Sequence, residues 1–146
     1  MNKILNTDFG TTQVDVVLLI LRIGVASLML THGIPKLQAL IGGGEIQFPG
    51  VMGLSPAISL SLAVFAEVLC SMLIFIGLAT RFASIPLIIT MLVAIFMIHG
   101  NDPIALQEPG LLYLFLYIPL LILGSGKFSV DRVLSLVQRA EMAKSC

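Results

Sequence analysis

Two charged residues stand inside stretches of sequence that are otherwise apolar. Glu67 lies within LAVFAEVLCSMLIFIGLATR (residues 62–81), and Arg22 lies within the first long apolar run. A charge at the centre of a membrane helix costs about 2.5–3.5 kcal/mol on insertion scales, and such residues are functional candidates by default. Counted from the same membrane surface, the two Cα atoms differ in height by roughly 6 Å, which an arginine side chain can bridge. The sequence therefore predicts an Arg22–Glu67 pair inside a helical bundle.

That pair has two interpretations, and both stay open at this point. In the first, it fixes the register of two helices. Such pairs often add little net stability, although losing one partner is costly. In the second, the pair lines a polar cavity that handles a proton or the head group of a ligand.

Small and basic residues share one face of the first apolar run. Spacings of four, three, four and three residues place on this face Arg22, Ala26, Met29, Gly33 and Lys36. His32 lies one turn before Lys36. We expect the face to pack closely against another helix and to form an anion-attracting opening. A hydrogen bond from His32 to a loop carbonyl is the simpler alternative for that side chain.

Further ionisable residues surround the start of the last apolar run. Asp102-Pro103 is typical of a helix start, and a helix from Pro103 would place Glu108 about 8 Å below the outer surface, near His99. Glu108 would then be a second buried carboxylate. If the helix instead began at Pro109, Glu108 would be a solvated loop residue.

The expected site combines these groups. We expect catalytic roles for Glu67, His99 and Glu108. We expect ligand contacts from Arg22, His32, Lys36, Tyr113 and Tyr117, with the two tyrosines on one helix face as stacking or packing partners. Imidazoles and carboxylates also suit transition metals, but no short ligand spacing supports such a centre, and no metal is expected.

Composition defines the elements that must position these residues. The 146 residues are 58% hydrophobic and only 11% charged, whereas a soluble domain has about 25% charged residues. The chain is therefore expected to be an integral membrane protein in contact with the lipid bilayer. A net charge of zero and the lack of a basic cluster exclude nucleic acid as a partner. Cys70 and Cys146 form no CxxC motif, so dithiol chemistry lacks its usual residues.

The sequence predicts an all-α fold, a transmembrane four-helix bundle in one membrane domain, 1–146. The expected spans, each close to the roughly 20 residues that cross a bilayer, are 14–37, 55–79, 82–99 and 103–123. Ser55 and Pro56 form a typical helix start. The fourth span contains Pro109 and Pro119, so neighbouring helices must accommodate its kinks.

Charge distribution predicts the orientation. One membrane side collects most basic residues, namely Lys3, Arg81, Lys127, Arg132, Arg139 and Lys144. The positive-inside rule then places both termini in the cytoplasm. The tail, 124–146, is expected to form an amphipathic helix on the inner surface, with Val130, Val133, Leu134 and Val137 on one face. Cleavage of the first run as a signal peptide is disfavoured by the preceding Asp8 and Asp15.

Four stretches together resemble the DoxX family of small four-helix bacterial inner-membrane proteins. They are LRIGVASLMLTHGIPKL, AEVLCSMLIFIGLATR, the region around His99, and EPGLLYLFLYIPLLILGSGKFSVD. The resemblance covers roughly residues 16–134. Its last motif contains Gly124, Gly126, Lys127, Phe128, Ser129 and Asp131, and Ser125 stands where many relatives have proline.

The resemblance implies redox function, since the family takes its name from a subunit of a thiosulfate:quinone oxidoreductase. The chain would then be a subunit or accessory of a quinone-linked oxidoreductase, with a quinone as its ligand and redox proteins as partners in a membrane complex. His99 or Glu108 would pass protons, while Arg22 and Glu67 would hold the inner end of the pocket. The sequence has no haem, flavin or iron–sulfur motif, so a partner would carry the electrons.

Two other functions remain as alternatives. The chain could be a non-catalytic assembly factor or anchor for a larger complex, as its missing redox motif and amphipathic tail suggest. Less favoured is a small-solute transporter, which would need a dimer because four helices are few for alternating access. A small-residue face with Gly24, Ser27 and Thr31 would allow self-association.

Overall fold

The computed structural model describes residues 10–144, which form five helices and no strand. We number them α1 Thr11–Ile41, α2 Pro56–Ile76, α3 Thr80–Ile98, α4 Ile104–Leu123 and α5 Val130–Lys144. Lys3, Asp8 and Cys146, used in the expectations above, lie outside the described residues. The all-helical fold predicted from the sequence is confirmed for the described part of the chain.

The first four helices are long and apolar enough to cross a membrane. Their bounds lie within four residues of the predicted spans. Large apolar side chains cover their outer surface, for example Phe82 (77% exposed) and Phe96 (72% exposed). Such a surface is stable only in contact with an apolar medium, so these helices face the lipid bilayer.

Local sequence explains where α2 begins and ends. Ser55 precedes the helix, and its Oγ accepts a hydrogen bond from the Ile58 backbone N–H at 3.4 Å, while Pro56 occupies the first helical position. The helix ends at Gly77, whose φ of +74° is favourable only for glycine. Ala79 follows with φ +49°, and this tight turn leads directly into α3.

Two π-helical segments interrupt the regular helices. One spans Phe65–Cys70 in the middle of α2, and the other spans Ala94–Ile98 at the end of α3. A π segment inserts an extra residue into the helical turn and re-aims the side chains around it, and such segments are frequent at functional sites. Glu67 lies in the first segment, and His99 directly follows the second.

The core lies where α1, α2, α3 and α4 meet. Its fully buried members include Ala26, Met29, Ile74, Leu87 and Leu120. Because the first four helices run up and down, α1 begins and α4 ends at the same end of the bundle, which we call the terminal end. Some of the predicted site residues lie near this end, and the others lie towards the opposite end of the bundle.

Candidate functional site

Lys36 is the partner of Glu67. Its Nζ lies 2.5 Å from Glu67 Oε1, and the Glu67 side chain is only 2% exposed. The predicted Arg22–Glu67 pair is therefore wrong. Side chains on a helix lean towards its N-terminus, so on antiparallel helices Lys36 of α1 and Glu67 of α2 lean towards each other. Arg22 leans towards the terminal end as Lys36 does, but it lies closer to that end than Glu67, so its side chain points away from Glu67.

Gly33 brings α1 against α2 beside this ion pair. A Cβ placed on Gly33 would lie 2.8 Å from Val68 Cγ2 and 3.0 Å from the backbone carbon of Glu67. Only glycine therefore fits at this approach. Lys36 lies three residues further on the same helix face, so the close contact at Gly33 sets the position from which Lys36 reaches Glu67. The predicted close packing of the small-residue face is confirmed at this residue.

Arg22 bonds to backbone carbonyls instead of an acid. Its Nε donates to Ile74 O at 3.1 Å, its Nη2 to Phe75 O at 3.4 Å, and its Nη1 to the carbonyls of Ser125 and Phe128, the latter at 3.1 Å. The last carbonyls of a helix have no partner within that helix. Arg22 therefore satisfies the end of α2 and ties it to the chain that follows α4.

The GSGKFSVD stretch completes this cluster at the terminal end. Asp131 accepts hydrogen bonds from the Ala79 backbone N–H at 2.8 Å and from Ser125 Oγ at 3.1 Å. Asp15 accepts one from the Lys127 backbone N–H at 2.9 Å. The Asp131 bond to Ala79 fastens the start of α5 to the turn between α2 and α3, and the Asp15 bond fastens Lys127 to α1. The motif thus has a structural role, and Ser125 supplies a bond that proline could not.

A cavity of about 330 Å³ lies at the opposite end, between α1, α3 and α4. We call it the first cavity. Its polar lining is formed by His32, Lys36, Glu67, His99, Gln107 and Tyr113. Apolar side chains form the rest of its wall, among them Met29, Met91, Ile95 and Leu106. The cavity therefore brings together most of the predicted site residues and the two π segments.

Aromatic and imidazole rings form one wall of the first cavity. His32 meets Tyr113 edge to face, with ring centroids 5.8 Å apart. Tyr113 in turn stacks on Tyr117, with ring centroids 6.2 Å apart, so the two tyrosines contact each other on one face of α4. Tyr117 is fully buried and does not line the cavity. It therefore supports Tyr113 from behind and has no direct contact with the cavity.

His99 and Gln107 also line the first cavity. His99 Nδ1 lies 2.7 Å from Asp102 Oδ2, which orients the imidazole ring. Gln107 Nε2 donates to the His99 carbonyl at 2.8 Å and to the Asp102 carbonyl at 3.1 Å. These bonds join the end of α3 to the start of α4. Both ring and amide are thereby held at the mouth of the cavity.

Glu108 lies elsewhere. α4 begins at Ile104, one residue after the predicted start at Pro103, yet Glu108 is exposed and lines no part of the cavity. The expected buried carboxylate is therefore wrong, because the cavity-facing side of α4 is that of Gln107, Gly110 and Tyr113. Their regular spacing of three residues is the sequence signal that could have identified Gln107.

One oxygen of Glu67 has no hydrogen-bond partner. Lys36 occupies Oε1, whereas Oε2 is buried without a partner among the described residues 10–144. A buried carboxylate oxygen left open is costly unless something fills the position. Glu67 lines the first cavity but this oxygen is buried, so a turn of the carboxylate would bring it to a molecule bound there, from which it could accept a hydrogen bond or a proton.

A second cavity, of about 350 Å³, lies on the other side of the ion pair, between α2, α3 and the loop that follows α1. The two cavities share four lining residues, namely Lys36, Glu67, Ala94 and His99. The Lys36–Glu67 pair thus forms part of the partition between them. Among residues 10–144, no three His, Cys, Asp or Glu side chains lie close enough together to hold a metal ion.

Comparison with known proteins agrees with the resemblance in the sequence. The DoxX family model matches residues 17–100, a stretch that contains Arg22, His32, Lys36, Glu67 and His99. A protein of Haemophilus influenzae, described as uncharacterized, is 32% identical over 127 residues, covering 82% of this chain and 84% of the relative. No solved structure matches the chain. The chain is a membrane protein with four apolar helices among residues 10–144, and it belongs to the DoxX family.

Proposed function

We propose that the protein is a membrane subunit of a quinone-linked oxidoreductase system and that it binds a quinone ring in the first cavity. The observation that carries the proposal is the cavity itself, whose lining combines apolar side chains with a buried carboxylate paired to a partly exposed lysine and with two imidazoles. Its volume of about 330 Å³ lies at the lower end of the range for small-molecule sites, roughly 300–1,000 Å³. That size suits one substituted ring.

The lining groups supply what the ring needs. Reduction of a quinone to a quinol takes up two electrons and two protons, and it converts both ring carbonyls to hydroxyls. The Lys36 ammonium donates a hydrogen bond to one carbonyl oxygen, and the open oxygen of Glu67 accepts one from the resulting hydroxyl. The Tyr113 ring, stacked on Tyr117, provides an apolar wall beside the bound ring.

His99 connects this site with the aqueous side. Its side chain is 39% exposed, and its bond to Asp102 holds it at the mouth of the cavity. The two nitrogens of an imidazole can donate and accept protons, so the ring can pass them in either direction. We assign His99 to proton exchange between solvent and Glu67. Arg22, which lies outside the cavity, has no part in this route, and neither has the exposed Glu108.

The electrons come from a partner protein, because the sequence contains no haem, flavin or iron–sulfur motif. The C-terminal helix α5 offers a surface for such a complex or for the membrane. Its apolar residues Val133, Leu134 and Val137 are 60%, 48% and 50% exposed. We propose that α5 is amphipathic and lies along the cytoplasmic membrane surface. An exposed small-residue face with Gly24, Ser27 and Thr31 on α1 suits homo-oligomers.

Ligand binding to the purified protein tests the quinone site. A water-soluble quinone analogue is titrated against the parent protein and against Glu67→Gln and His99→Ala. We expect Glu67→Gln to weaken binding about tenfold, which corresponds to roughly 1.4 kcal/mol. Glu108→Gln is the matched control, since it makes the same chemical change at an exposed carboxylate. Unchanged affinity in both Glu67→Gln and His99→Ala would remove the proposal.

An assembly factor is the second candidate, and the exposed apolar residues of α5 favour it. Purification from the native membrane separates the two functions. A stable partner that carries flavin, haem or iron–sulfur supports the redox subunit. A partner without any such group supports a scaffold.

We also propose that both termini face the cytoplasm of a bacterial inner membrane. Basic residues concentrate at the terminal end, at Arg81, Lys127, Arg132 and Arg139, whereas Lys36 lies at the opposite end. Reporter fusions after the last residue test this orientation. Fluorescence of a cytoplasmic reporter is expected, and activity of a periplasmic alkaline phosphatase fusion at that position would contradict it.

A further inference from the structure

The second cavity differs in character from the first. Its wall is mostly apolar and includes Phe48, Leu54, Leu62, Ala63, Ile89 and Val93. All its charged or imidazole groups lie at the partition, where Lys36, Glu67 and His99 border both cavities. The hydroxyls of Ser59 and Thr90, which also line it, are hydrogen-bonded to backbone groups. Lys36 Nζ lies 5.9 Å from the centre of the Phe48 ring, so the ammonium is held between Phe48 and Glu67.

The second cavity reaches the lipid-facing surface. Leu62 of α2 and Ile89 of α3 line it, and each is 54% exposed. Both residues lie inside helices that are apolar enough to cross a membrane. A molecule that occupies this cavity can therefore extend between α2 and α3 into the hydrocarbon of the bilayer. Its other end meets the Lys36–Glu67 pair.

This arrangement specifies an elongated amphiphile with a polar ring and an apolar tail. We propose that the second cavity holds the first isoprenoid units of the tail of a membrane quinone whose ring lies in the first cavity. The inference rests on the proposed function, because it assigns the tail of the same ligand. The tail crosses the partition beside Lys36, whose side chain is 32% exposed and moves aside, and it leaves the second cavity between Leu62 and Ile89.

Position 63 permits a direct test. Ala63 is buried and lines only the second cavity, so Ala63→Phe fills space that the tail would occupy. Ala57→Phe is the matched control, because Ala57 lies on the same helix, is exposed and lines neither cavity. Two quinones with the same ring are compared, one with a methyl group and one with a two-unit isoprenoid tail. Partitioning into detergent changes the apparent Kd of a given quinone equally for every variant. The ratio of Kd values between two variants is therefore independent of it.

The expected result is selective. Ala63→Phe raises the Kd of the tailed quinone about tenfold and leaves that of the methyl quinone within about twofold, and Ala57→Phe changes neither. Should Ala63→Phe fail to fold, Val93→Phe repeats the experiment from α3, since Val93 also lines only the second cavity. A tailed quinone with a photoreactive group on its second unit is expected to label Leu62 or Ile89.

Two other outcomes are distinguishable. If both quinones bind the parent protein, but neither cavity-filling variant changes the tailed one and the label appears elsewhere, the tail site is wrong and the ring site stands. In that case a phospholipid acyl chain is the remaining occupant of the second cavity. If neither quinone binds the parent protein, the proposed function fails and the tail site fails with it.

Discussion

Lys36 Nζ lies 2.5 Å from Glu67 Oε1, so an ion pair joins the last part of α1 to the π-helical middle of α2. The carboxylate is buried, whereas the lysine side chain is 32% exposed along the cavity. The pair therefore combines a fixed anion with a cation that has room to move. This asymmetry underlies both the proposed chemistry and the first prediction.

Removing the lysine alone should destabilise the protein more than removing both partners. Lys36→Met leaves the Glu67 carboxylate buried without its counter-ion, which costs about 3–5 kcal/mol for a fully buried pair and less here because Lys36 is partly exposed. Lys36→Met/Glu67→Gln removes both charges and should recover part of the loss. Thermal unfolding in detergent measures the stability of the single and the double variant. Equal stability of the single and double variants would show that the pair is not coupled.

Gly33→Ala should destabilise the contact between α1 and α2. The added Cβ would lie 2.8 Å from Val68 Cγ2, and overpacking of this kind costs about 1–3 kcal/mol. Gly24→Ala is the control, because no atom lies within 4 Å of its added Cβ. That variant should be neutral or slightly stabilising, since alanine favours helix over glycine by about 1 kcal/mol. Comparison of the two unfolding midpoints isolates the steric effect.

Arg22→Met should release the segment after α4. Four backbone carbonyls lose a hydrogen bond from the guanidinium, two at the end of α2 and two in the stretch 125–128, although Ile74 O keeps its bond from the Gly77 N–H at 3.1 Å. Hydrogen bonds to a charged group contribute about 1.5–3 kcal/mol each, so the loss should be several kcal/mol. Chymotrypsin cleavage after Phe128 should accelerate. Arg139→Met, at an exposed position of α5, should leave the rate unchanged.

Gly77→Ala should be more damaging than Gly43→Ala. Both glycines have positive φ, +74° and +68°, so both substitutions carry similar backbone strain. Only at Gly77 would the added Cβ meet another group, since Arg22 Cζ lies 2.6 Å from it. We expect a difference of about 1–3 kcal/mol in unfolding free energy. If the two variants lose the same unfolding free energy, backbone strain alone explains why residue 77 is glycine.

The positions of the apolar helices were predictable because they depend on local sequence. The apolar runs, the Ser55-Pro56 start and the Asp102-Pro103 start each carry their signal within a few residues. The shared face of α1 was likewise predictable from spacing alone. Gln107 could have been identified in the same way, through the three-residue spacing with Gly110 and Tyr113.

The partners of the charged residues could not be predicted from the depth of their Cα atoms in the membrane alone. Arg22 and Glu67 were expected to meet because their Cα atoms lie at similar depth. The direction in which side chains lean on antiparallel helices, and the free carbonyls at the end of α2, decided against that pair.

The sequence by itself determined that this chain forms four apolar helices, and it identified Glu67, Lys36, His32 and His99 as residues whose burial or position needs an explanation. Only the tertiary structure decided which of them meet, that Glu108 is turned away, and that two cavities share the ion pair as their partition. The physical reason is that hydrophobicity and spacing act along one helix. Which side chains become partners depends on contacts between helices. Here these contacts are set by the close approach of α1 and α2 at Gly33 and by the two π segments, which change the direction of the side chains around the site.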